Sequence, residues 1–230
     1  MDFGNLPQDA TDDFRPFVVD TPQTDIDALK TLLRLSRVGP KTYENSLPDG
    51  RLGLQLEWLQ QAVKQWSGNF DCFLEFLPIL EKLRHEYNPE TLPYHLIVPS
   101  LPGYGFSSAP PPDQDMRLED AARLLDKMMV LLGFGNQGYV VQGGDVGSKV
   151  ARVIAAEHDN CKVNFCIMPE PAEDQIDKRI PVSQAEEEGL HRTEWFKQTG
   201  SAYALEHATR PSTIGFALGS SPISLLAWYV

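Results

Sequence analysis

The apolar run Tyr139-Val140-Val141 leads directly into Gln142-Gly143-Gly144-Asp145-Val146-Gly147-Ser148. A strand that turns this sharply into a helix holds its apex residue in a strained backbone conformation. It also brings the positions two residues to either side against each other, so small residues are expected there. Gly143, Gly147 and Ser148 fill the small positions of such an elbow around Asp145. The run alone also fits Asp145 as an ordinary helix N-cap, or a fragment of a nucleotide-binding glycine loop. Spacing disfavours the loop, because Gly143-Gly144-Asp145-Val146-Gly147 does not reproduce G-x-G-x-x-G. An aspartate at the apex changes what the elbow can do: it is ionised at neutral pH and can attack an electrophilic carbon without help from a base.

The surrounding pattern alternates helix and strand from about residue 68 to 168. Strands are expected near Tyr94 to Pro99, Tyr139 to Gln142 and Val163 to Met168, and that alternation implies a parallel sheet. Pro110-Pro111-Pro112 breaks the chain, after which Leu118, Ala121, Ala122, Leu124, Leu125 and Met128 form an apolar helix stripe closing at Gly133. Upstream, Thr21-Pro22 reads as a helix start capped by threonine, ending before Gly39-Pro40. A second amphipathic helix carries Leu54, Trp58, Leu59, Ala62, Val63 and Trp66 on one face, with no buried strand before it.

A second motif sits about forty residues before the elbow: Tyr94-His95-Leu96-Ile97-Val98-Pro99-Ser100-Leu101-Pro102-Gly103-Tyr104-Gly105-Phe106-Ser107, an apolar stretch running into a loop punctuated by proline and glycine. Together the two motifs resemble the epoxide hydrolases of the α/β-hydrolase fold, particularly their microsomal-like and fungal branch. The resemblance extends to Phe14-Arg15-Pro16-Phe17-Val18-Val19, to Phe73-Leu74-Glu75-Phe76-Leu77-Pro78-Ile79-Leu80, and to Ser201-Ala202-Tyr203-Ala204-Leu205-Glu206-His207-Ala208-Thr209-Arg210-Pro211. It implies a partial α/β-hydrolase fold, a parallel sheet without its early and late strands. Residues 1–67 would be the epoxide hydrolase N-terminal segment, a helical arm that is no independent domain; 68–168 the partial core; and 169–230 part of a helical cap.

In such enzymes the aspartate opens the epoxide to a hydroxyalkyl ester, a histidine-activated water hydrolyses that ester, and two cap tyrosines hydrogen-bond the epoxide oxygen. By motif match Asp145 takes the nucleophile role, Tyr203 that of the first tyrosine, and the Val146 backbone N–H half of the oxyanion hole. The family's His-Gly-x-Pro loop, source of the other half, is replaced by Lys64-Gln65-Trp66-Ser67-Gly68. An internal segment carrying roughly the first three strands is therefore expected to be missing. No position matches the base histidine, the relay acid or the second tyrosine, so full turnover is not expected. His85, His158 and His191 read as solvated surface residues; His95 and His207 could line a pocket without acting as base.

Composition excludes several classes. With 42% hydrophobic, 10% aromatic and 23% charged residues the chain reads as an ordinary globular protein. A net charge of -12 offers no basic stripe for nucleic acid and disfavours anionic membranes. Cys72, Cys161 and Cys166 lack CxxC spacing and read as reduced, mostly buried thiols, with neither disulfide framework nor metal site. No apolar run suggests a membrane anchor, and Met1 to Leu6 lack signal-peptide features, so the cytosol is the expected compartment. Glu186-Glu187-Glu188 reads as a solvated helix face.

The resemblance implies a small apolar epoxide as substrate, hydrolysed to a vicinal diol in the breakdown of xenobiotic or aromatic compounds, with no cofactor; a homo-oligomer stays open. The alternatives are a non-catalytic truncated product and a pseudoenzyme that only binds small apolar ligands. A haloalkane dehalogenase-like enzyme shares the elbow aspartate, but the Pro99 to Ser107 and Ser201 to Pro211 stretches look like the epoxide branch. A three-stranded sheet would also leave apolar faces uncovered, so the chain should be poorly soluble or need a partner.

Overall fold

The structure is a computed structural model that describes residues 9–11, 14–15, 18, 20–68, 76–166 and 181–228. The chain divides into two compact units, Met1–Pro16 with Phe73–Asp177, and Phe17–Cys72 with Lys178–Val230. The expectations for Cys72, Phe73, Ile167, Met168 and the linker from Pro169 lie outside the described residues.

In the first unit, α3 (Leu77–Glu86), α4 (Leu118–Met129), β1 (Tyr139–Gly143), α5 (Asp145–Glu157) and β2 (Cys161–Cys166) follow in chain order. The two strands pair in parallel, Tyr139 opposite Cys161 and Gly143 opposite Cys166. On one side of them lies a core of Ala121, Ala122, Leu132, Phe134, Val150 and Ile154. Spacing explains which residues of α5 reach it: Val150, Ala151 and Ile154 recur at one-turn intervals on one face. The other sheet face is uncovered among the described residues, with Val140 58%, Val163 47% and Phe165 62% exposed. Two residues of the N-terminal arm are tied here, Thr11 N–H donating to the Leu131 carbonyl and Asn136 Nδ2 to Asp9 Oδ2.

Two features of this unit differ from the sequence reading. The strand expected from Tyr94 to Pro99 does not form. Ile97 packs against the core and Leu96 and Val98 face out, so the alternation of a strand survives. Among the described residues no strand pairs with this stretch, and apolar alternation alone cannot supply one. The α4 stripe is also narrower than expected. Ala121, Ala122, Leu125 and Met128 face the core, whereas Leu118 and Leu124 are about two-fifths exposed, 38% and 40%. Helix α4 ends at Met129, and a π-helical turn, Val130–Phe134, carries the chain through the break anticipated at Gly133, whose φ of 90° no β-carbon residue adopts cheaply.

In the second unit, α1 (Gln23–Leu35) and α2 (Leu56–Gly68) precede α6 (Gln184–Thr199), α7 (Ala202–Thr209), α8 (Pro211–Gly219) and α9 (Pro222–Trp228). Leu33 of α1 and Ile223 and Leu226 of α9 are its buried residues among those described. The Oγ atoms of Ser36 and Ser221 lie 3.2 Å apart beside them. Thr21 does not cap α1: Pro22 takes the cap position and no side chain bonds the first turn. On α2, Trp58 turns outward, 40% exposed, while Leu59, Ala62, Val63 and Trp66 are half-buried. The Glu186 side chain does more than solvate a face, because it closes a capping box with Ser183 at the start of α6.

Candidate active site

Asp145 is the one non-glycine residue with positive φ among those described, at 46°. The local sequence explains why it is held there. A β-carbon on Gly143 would land on the Gly147 carbonyl group and within 2.8 Å of the Ser148 nitrogen, so the strand end and the helix start touch backbone to backbone. Gly147 is different: a β-carbon there would meet nothing within 4 Å. The expectation that space forces glycine at both positions is therefore corrected. The turn requires glycine at 143, and at 147 it uses only the backbone.

Gly144 is the N-cap of α5 and Asp145 its first helical residue, so Asp145 is not the N-cap. Its carboxylate is exposed at the positive end of the helix. Val146 N–H follows in the first turn, where amides have no partner within the helix. Ser148 is 1% exposed, and its hydroxyl donates to the Asp145 carbonyl at 2.6 Å.

The loop from Ser100 to Ser107 is pinned by its own chemistry. Gly103 and Gly105 have φ of 81° and 54°, Ser107 Oγ donates to the Ser100 carbonyl at 2.7 Å, and a β-carbon on Gly105 would crowd Ser100 Oγ. In the second unit, Tyr203 lies on α7 and is 48% exposed. Its ring meets His207 edge-on at 6.1 Å, and His207 stacks on Trp228 at 5.5 Å. Trp228 Nε1 donates to His207 Nε2 at 2.8 Å, so that nitrogen is already an acceptor.

One cluster escaped the sequence reading. His158, expected on the surface, ends α5 with a side chain only 20% exposed, its Nδ1 3.3 Å from Asp126 Oδ2. Tyr139 Oη and Asn160 Nδ2 donate to Asp126 Oδ1, at 2.7 and 3.3 Å. Burial, and then the Asp126 carboxylate, push the Tyr139 hydroxyl far above its ordinary range. Burial likewise raises the Cys161 thiol. The polar segment Glu157-His158-Asp159-Asn160 looks solvated because its partner sits on a different helix. The cluster lies where β1 begins, and Asp145 follows where β1 ends, so it serves the fold and does not touch the elbow.

Comparison with known proteins fits this geometry. The family model for the α/β hydrolase fold matches residues 63–222, and that for the epoxide hydrolase N terminus matches residues 14–85. The structure of Aspergillus niger epoxide hydrolase superposes with a TM-score of 0.88 at 42% identity, over 99% of this chain and 71% of that one. The chain belongs to the epoxide hydrolases. A Dothistroma septosporum protein whose name places it in the same family is 36% identical over 98% of this chain and 66% of its own length. That alignment runs over 282 positions, so more than fifty of them face no residue of this 230-residue epoxide hydrolase chain. A juvenile hormone epoxide hydrolase from the silkworm Bombyx mori shares the fold, with a TM-score of 0.71 at 20% identity. Among the described residues no helix of this family member is long and apolar enough to cross a membrane.

Proposed function

We propose that this chain opens small apolar epoxides on Asp145. One carboxylate oxygen attacks a ring carbon, the carbon–oxygen bond of the epoxide breaks, and its electron pair goes to the departing oxygen. That oxygen takes a proton from the Tyr203 hydroxyl, leaving a hydroxyalkyl ester on Asp145. Hydrolysis then places negative charge on the ester oxygen, toward which Val146 N–H donates. The observation that carries the reading is the positive φ of Asp145 at a strand-to-helix junction closed by Gly143. Gly147 and Ser148 complete that elbow.

Aspartate attack needs no cofactor, and the site calls for an uncharged substrate, in keeping with a net charge of -12. Intact-protein mass spectrometry after incubation with styrene oxide tests the reading. An adduct that is lost in Asp145→Ala is the expected result, and no adduct on a folded sample overturns it. If the adduct persists for hours, the first half-reaction runs ahead of the second.

A further inference from the structure

The last small position of the elbow does more than avoid a clash. Ser148 is 1% exposed, and its hydroxyl donates to the Asp145 carbonyl at 2.6 Å. Serine and threonine hydroxyls elsewhere in the chain bond helix carbonyls too, as Thr193 does to Gly189 and Thr209 to Leu205, but those are exposed and reach back four residues. Ser148 is buried and reaches back three, to the carbonyl of the strained residue itself.

That carbonyl belongs to the peptide unit joining Asp145 and Val146. A trans peptide is planar, with its C=O and N–H pointing in opposite directions. A hydroxyl that fixes the Asp145 oxygen therefore fixes the direction of the Val146 N–H. We propose that Ser148 is a positioning residue: its hydroxyl aims the Val146 N–H at the charge that develops on the Asp145 ester during hydrolysis. Alanine would satisfy the size requirement of the elbow equally well, but it would leave the Asp145 carbonyl with the helix bond alone, without the second bond from the hydroxyl that narrows the tilt of the peptide. The inference rests on the ester chemistry proposed above.

The test has two readouts. The ester is formed with styrene oxide on the unaltered chain and on Ser148→Ala, and each is moved to mildly alkaline buffer, where hydroxide clears it. Loss of one aimed donor lowers such a rate by about a hundredfold or more, so mis-aiming is expected to slow clearance by about tenfold. Ester formation, which does not place charge on that oxygen, should change by less than about twofold. The second readout is spectroscopic. Asp145-Val146 is the only Asp-Val pair in the chain, so carbonyl-labelled aspartate with nitrogen-labelled valine gives a single backbone correlation. Its carbonyl resonance should move in Ser148→Ala and return in Ser148→Thr. It should also carry a deuterium isotope shift in the unaltered chain, which is measurable even where a variant does not fold.

Clearance at the unaltered rate in Ser148→Ala overturns the inference. So does a carbonyl resonance that neither moves nor shows the isotope shift. If the unaltered chain forms no ester, the proposed function fails and takes this inference with it, an outcome distinct from equal clearance in the two proteins.

Discussion

The helices α5 and α6 are of similar length, thirteen and sixteen residues, yet they are stabilised in opposite ways. Helix α5 buries Ser148, Val150, Ala151 and Ile154 against a sheet and another helix, and its first turn is locked by backbone contact of Gly147 with Gly143 at the end of the strand before it. Helix α6 buries nothing among the described residues and exposes Leu190, Trp195 and Phe196 at 62%, 56% and 45%. Its order comes from the Ser183–Glu186 capping box and from bonds one turn apart, Gln184 to Glu188 and Gln198 to Glu194. Asp145 is thus held by tertiary packing, and α6 by local bonding.

The sharpest way to break that contrast is at the two elbow glycines. Gly143→Ala drives a methyl group into the Gly147 backbone and should cost about 4 kcal/mol or more in urea unfolding. Gly147→Ala has open space and should be neutral, or stabilising by about 0.5–1 kcal/mol through helix propensity. Equal penalties at both positions would refute the account of the elbow. Next in size, Ile154→Ala in α5 should cost about 3 kcal/mol, whereas Leu190→Ala in α6 should stay within about 0.5 kcal/mol. Hydrogen exchange should show the same ordering, with α5 amides opening only on unfolding of their unit and α6 amides opening locally. Asp126→Ala leaves the Tyr139 hydroxyl and His158 Nδ1 without their acceptor and should cost about 2 kcal/mol, with the elbow chemistry unchanged.

The smallest effect concerns α6 and acid. Hydrogen bonds from the Ser183 hydroxyl and N–H hold the Glu186 carboxyl below its ordinary value of 4.5. A carboxyl lowered by folding contributes stability that is full above that ordinary value and disappears as pH falls through the folded value. Protection of the first turn of α6 should therefore decline below pH 4.5, and Glu186→Gln should flatten the decline. An unchanged pH dependence in Glu186→Gln would remove the capping box from the explanation.

The elbow was legible in the sequence because its causes are local: a short apolar strand, a glycine that cannot carry a side chain, and an acidic residue between small neighbours. The same locality made the backbone break at Gly133 readable, though α4 itself ends at Met129. Features that depend on distant partners were not. Tyr94 to Pro99 have the alternation of a strand, but pairing requires a neighbouring strand that the described residues do not supply. His158 looked solvated beside Glu157 and Asp159, and the aspartate that takes it into the interior lies on α4. Thr21 had the right chemistry for a cap, and the chain placed Pro22 there instead. Sequence also could not say that Gly143 and Gly147 play unequal roles, because the two differ only in what surrounds a β-carbon that neither possesses.

The positive φ of Asp145 also bears on how such a residue persists. Left-handed backbone costs a residue with a β-carbon about 1 kcal/mol or more, less for aspartate than for most, and nothing for glycine. Asp145→Gly should therefore melt at a higher temperature than the unaltered chain while losing its chemistry. Stability alone does not account for a carboxylate at a position that glycine fits better, and the nucleophilic role proposed for Asp145 would supply the reason.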